Sequence, residues 1–106
     1  MTSKKPAQEK RAKLPRNSDR TRQFVKDWER LSHSGRYDMR RLKEAMMLLI
    51  ANDVPLPSEY LDHELSGEWR GFRECHIGGD FLLIYDLRQE GSVIFTRAGT
   101  HADLFE

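Results

Sequence analysis

The chain has 106 residues, 38% hydrophobic and 33% charged, enough for one small domain with one modest core and not for two. No apolar run nears the roughly 18 residues of a membrane span, no apolar segment follows the basic start as a secretory leader would, and the single cysteine, Cys75, excludes an internal disulfide and suits a reducing cytosol. The net charge of +1 names no partner, yet it is unevenly spread: residues 1–22 hold eight Lys/Arg against two acids, and residues 23–106 hold ten against fifteen. A basic arm thus precedes a mildly acidic body. Such an arm either touches phosphates or simply keeps the chain solvated.

Residues 1–10 carry no apolar periodicity and predict a flexible basic tail; residues 11–106 are expected to form the single domain. The stretch Arg11 to Ser18 contains Pro15 and can be at most an edge strand. Asn17-Ser18-Asp19 is a cluster of helix-capping residues, and Phe24, Trp28 and Leu31 then recur at helical spacing. This predicts a helix from about Asp19 to Leu31. Ser32 to Tyr37 reads as a turn that holds His33 at the surface. Asp38 caps a second helix whose face is Met39, Leu42, Met46, Leu49 and Ile50, ending near Asn52 ahead of Pro55 and Pro57.

After the prolines the period changes. Trp69 to Ile77 reads as a half-buried strand, Gly78-Gly79 as a hairpin turn, and Phe81 to Tyr85 as a central strand covered on both faces. Glu90-Gly91 turns into a third strand, Ser92 to Ala98, and His101 to Phe105 forms a last helical turn. The fold class is therefore α+β: an N-terminal helical hairpin packed on a small antiparallel sheet.

The chemistry-bearing residues gather in the C-terminal half: His63, His76, Asp80 and His101 beside turns or strand ends, with Arg70, Arg73 and Arg97 on the strands. Imidazoles titrate near neutrality and move protons; arginines hold a phosphodiester and the charge that builds on it. The combination suggests RNA cleavage, in which a base takes the 2′-OH proton and an acid protonates the leaving 5′-oxygen. No metal is expected, because the intervals from His63 through His76 and Asp80 to His101 match no compact zinc motif, and Cys75 and His76 point to opposite faces of a strand. Cys75 beside His76 could act as a nucleophile, but mid-strand placement favours a buried thiol.

The stretch Leu56 to Gly67, the stretch Trp69 to His76, then Asp80, Leu83-Ile84-Tyr85 and Arg97 to Phe105 resemble the YafQ-type toxins of the RelE/ParE toxin–antitoxin superfamily. The resemblance spans about Phe24 to Phe105, and Gly99-Thr100-His101-Ala102-Asp103-Leu104-Phe105 is its most specific element. It implies a small α+β endoribonuclease that cleaves translated mRNA in the ribosomal A site of the bacterial cytoplasm, without cofactor or membrane, and that a cognate antitoxin restrains. The resemblance makes His63, His76, Asp80 and His101 the catalytic set, with His101 as general acid and the base open between Asp80 and His63. It makes Arg97 a phosphate contact and Phe105 a substrate-placing aromatic. Arg73 and Phe81 join them as expected RNA contacts, Phe81 standing where the pattern carries tryptophan. A gyrase-inhibiting toxin of the ParE branch and a non-catalytic binding module are the alternatives.

Overall fold

The computed structural model describes residues 13–106; the tail expected over 1–10 lies outside the described residues. The chain runs β1 (Asn17–Arg20), α1 (Arg22–Ser34), α2 (Met39–Ala51), β2 (His63–Glu64), β3 (Arg73–Gly78), β4 (Phe81–Asp86), β5 (Ser92–Thr100) and α3 (His101–Phe105). The sheet has five strands in the order β1-β5-β4-β3-β2. The hairpin β3–β4, the meander into β5 and both long helices form as the hydrophobic pattern predicts, but β3 begins at Arg73 because Gly67–Trp69 is a 3-10 turn, and the first helix runs through His33 to Ser34 before Gly35 ends it.

The N-terminal boundary differs. Asn17, Ser18 and Asp19 do not cap α1; with Arg20 they form β1, paired parallel to β5 from Asn17 opposite Ser92 to Arg20 opposite Phe95. The sheet is thus mixed, antiparallel except at this edge. All four β1 residues are exposed, so main-chain bonds alone hold the strand, and Pro15 lies outside it. The cap of α1 is Thr21, whose hydroxyl accepts from the Phe24 N–H at 2.9 Å and donates to the Thr96 carbonyl at 2.8 Å. One side chain therefore starts the helix and fastens it to β5. Asp38 does cap α2, accepting from the Arg41 N–H at 3.0 Å, and Asn52 ends it in the left-handed region at φ 57°.

The core lies between the helices and one face of the sheet. Phe24, Leu31, Leu42 and Leu49 from the helices meet Cys75, Ile77, Phe81, Leu83, Tyr85, Val93 and Phe95 from the strands. Alternation sends Leu82 and Ile84 to the opposite face, where they pack with Leu104 of α3. The run Phe81 to Tyr85 is buried throughout, as a doubly covered central strand requires. A bulge adds Thr96 to β5, since Ile84 pairs with Arg97 and Tyr85 with Phe95. The extra residue shifts the alternation, so that Val93 and Phe95 face the core before it and Ala98 after it.

Candidate active site

The second face of the sheet gathers candidate site residues. On β3, Glu74 and His76 are two residues apart and share that face, while Cys75 between them is fully buried in the core. The short strand β2 was not foreseen; it places His63 directly opposite Glu74 in register. Three side chains thereby converge. Glu74 Oε1 lies 3.2 Å from His63 Nε2 and 3.8 Å from His76 Nε2, and the two rings are 6.2 Å apart. The other nitrogen of His63, Nδ1, meets the Leu61 carbonyl at 2.8 Å. Both nitrogens of His63 thus face protein oxygens. His76 has no such partner at hydrogen-bond distance among the described residues.

At the far end of β4 and β5, Phe81 pairs with Thr100, which sets Asp80 beside His101. Asp80 Oδ1 accepts the His101 main-chain N–H at 3.2 Å. The ring of His101 is 60% exposed and lies 4.9 Å from Phe105. Phe105 continues into Trp69 at 6.2 Å, and Trp69 into Phe72 at 5.3 Å, both edge-to-face. Leu82, Ile84 and Leu104 floor this aromatic group. Because His76 pairs with Leu82 and Leu82 with Gly99, His76 stands two strand spacings, about 10 Å, from Gly99, two residues before His101.

Three of the expected RNA contacts have protein partners in this structure. Phe81 is buried, its ring 5.0 Å from Tyr37, so it packs the helical hairpin and offers no stacking face. Arg73 lies on the core side of β3 with Cys75 and Ile77, where its guanidinium binds Asp62 at 3.1 Å. Asp62 also accepts from the Tyr85 hydroxyl. Arg97 gives Nε at 2.7 Å and Nη2 at 3.1 Å to Asp27, so its planar fork is already occupied by a carboxylate.

Sequence reasoning missed Asp27, Glu74, and the aromatic pair Trp69 and Phe72. Asp27 falls between Phe24, Trp28 and Leu31 on the apolar stripe of α1, and an acid there signals a buried partner. Burial pushes its carboxyl up, but the Arg97 fork and the Ala98 N–H at 3.1 Å outweigh this and hold it below its ordinary value. Glu74 and His76 at strand spacing were visible; the β2 register that adds His63 was not. Cys75 is buried, and burial together with the nearby Asp62 and Glu74 carboxylates pushes its thiol up to about 12.

His63, Glu74 and His76 offer ligand atoms all within 4.8 Å of one another. Two imidazoles and a carboxylate are a donor set that zinc or copper accepts. A metal held there would occupy the same nitrogens that would otherwise move protons.

The family described as "Bacterial toxin of type II toxin-antitoxin system, YafQ" matches residues 16–106, so the fold and its polar face are those of a type II toxin. The mRNA interferase toxin YafQ of Escherichia coli K12 is 42% identical over 92 residues, covering 87% of this chain and 98% of that protein. The chain belongs to the YafQ family. It is similar to the toxin in the crystal structure of the E. coli DinJ–YafQ toxin–antitoxin complex, with TM-score 0.78, 42% identity, and coverage of 88% of this chain and 100% of that one. It is also similar to a metal-bound toxin from Helicobacter pylori, with TM-score 0.74, 36% identity, and coverage of 84% and 98%.

Proposed function

We propose that this toxin cuts mRNA on the translating ribosome by metal-independent acid–base catalysis, with His101 as acid and His76 as base. As a YafQ-family toxin the chain is an mRNA interferase, an endoribonuclease. Cleavage through the 2′-hydroxyl needs a base and an acid on opposite sides of the phosphorus, because the attacking and leaving oxygens lie in line. The 2′-O–P bond forms as the base takes the 2′ proton, and the P–5′-O bond breaks as the acid delivers one. His76 on β3 and His101 at the end of β5 are separated by the intervening strand β4, which leaves room for the phosphodiester between them.

One observation favours His76 over His63 as base. His63 already faces the Leu61 carbonyl and the Glu74 carboxylate, so neither of its nitrogens is open to a 2′-hydroxyl. His76 has no partner at hydrogen-bond distance among the described residues, so its ring is open to a 2′-hydroxyl. Asp80 tethers the His101 backbone. Trp69, Phe72 and Phe105 supply faces on which unpaired bases stack. The gyrase reading recedes with membership of the YafQ family.

A cognate antitoxin is the proposed protein partner, as DinJ is for the E. coli toxin. The cytoplasm, where mRNA is translated, is the proposed compartment; among the described residues no helix is long and apolar enough to cross a membrane. The test is cleavage of ribosome-bound mRNA with a chelator that takes zinc and copper but spares magnesium. Activity should persist, and His101→Gln and His76→Gln should each reduce it by about 10²–10⁴-fold. The first should remove the alkaline limb of the pH–rate profile and the second the acidic limb. Activity restored only by added zinc or copper would instead support a metal on His63, Glu74 and His76.

A further inference from the structure

The helical turn that carries His101 is only five residues long, too short to hold its own orientation. Its capping box is closed: the Thr100 hydroxyl accepts from the Asp103 N–H at 3.1 Å, and Asp103 Oδ2 accepts from the Thr100 N–H at 2.9 Å. That bond holds the Asp103 carboxyl below its ordinary value. The cap fixes the first turn but not its tilt on the sheet. Leu104 anchors one side in the apolar floor, and Asp80 holds the His101 backbone.

The remaining side is held by α1. Arg30 reaches Asp103 Oδ2 through Nη1 at 3.4 Å and Asp27 Oδ1 through Nη2 at 3.4 Å. Asp27 is the anchored end of this bridge. Strand β1 stops opposite Phe95, so beyond it the β5 edge has no strand partner, and Asp27 takes the Ala98 N–H in its place. Gly99 leaves the space the bridge uses: a Cβ there would lie 2.8 Å from Asp103 Oδ2 and 3.4 Å from Arg30 Nη2. A residue with any side chain at 99 would collide with the bridge.

We propose that Arg30, spanning Asp27 of α1 and Asp103 of α3, is a positioning residue that orients the terminal turn and with it the His101 ring. The inference rests on the reading of His101 as general acid. Arg30 itself is 47% exposed, so its removal should leave the fold intact. Exposed ion pairs bias a conformation only weakly, and the expected effect is correspondingly small and specific.

The test is a double-mutant cycle on cleavage of ribosome-bound mRNA, with melting temperatures measured alongside. Arg30→Ala should lower kcat about five-fold, equivalent to about 1 kcal/mol, with KM and Tm nearly unchanged. In the His101→Gln background the same change should cost nothing further, and Arg30→Lys should recover part of the loss. An equal fall in both backgrounds, or no fall in either, overturns the positioning role. If His101→Gln itself keeps full activity, the acid assignment has failed and the positioning role falls with it. If His101→Gln is inactive and Arg30→Ala is fully active, only the positioning role has failed.

Discussion

Asp27 and Glu74 are the two carboxylates buried among the described residues, each under 10% exposed, and they are buried in opposite ways. Asp27 is saturated: the Arg97 fork, the Ala98 N–H, Gln23 and Arg30 all donate to it. Glu74 faces two imidazoles, at 3.2 and 3.8 Å. A buried charge met by an arginine that never deprotonates, and by fixed backbone, is architecture. One met by imidazoles, side chains that can both give and take a proton, is placed to act on them. Burial alone does not distinguish the two; the chemistry of the partners does.

The largest effect expected of that difference is on stability. Asp27→Ala would leave Arg97 without its partner and the Ala98 N–H without an acceptor, at a cost of about 3–5 kcal/mol. Tm should fall by at least about 12 °C. A variant that melts within about 2 °C of the parent would show that the pair is not structural.

The same carboxylate gives a pH signature. Its folded pKa lies below its ordinary value of 3.8, so its stabilisation is complete above that value and drains away as pH falls through the folded pKa. Thermal melts should lose stability below about pH 4, and the loss should be shallower in Asp27→Ala. An identical acid limb in both proteins would assign it to other carboxylates. Smallest of all is the effect at Cys75. With its thiol pushed up to about 12, the native protein should not react with a disulfide reagent at pH 8, whereas the unfolded chain should react at once. Rapid native labelling would refute the burial.

Where side chains create an element, the sequence announced it. Phe24 and Leu31 of the helical stripe and the run Phe81 to Tyr85 bury in the structure as their spacing demands, with Trp28 packed partly buried against the core. Strand β2 went unannounced, and β1 was foreseen only as at most an edge strand over Arg11 to Ser18, because no buried side chain defines either; both exist through main-chain pairing to another strand. The site divides along the same line. His63, His76, Asp80 and His101 were legible as residue types, but the grouping of Glu74 with His63 comes from a cross-strand register that no local pattern encodes. Phe81 misled for a related reason: in a strand buried on both faces, alternation does not say which face meets the helices. The pairing of Arg97 was not legible because its partner, Asp27, is seventy positions away.

The most direct test of the contrast is Glu74→Gln, with cleavage of ribosome-bound mRNA and thermal melting measured on the same preparation. The amide keeps the shape and removes the charge that holds the imidazoles. The account predicts a loss of about 100-fold in kcat, the scale of releasing an oriented catalytic group, with Tm unchanged or raised because a buried charge has gone. A collapsed Tm with full activity in the molecules that remain folded would contradict it, and would place Glu74 with Asp27 among the supports of the fold.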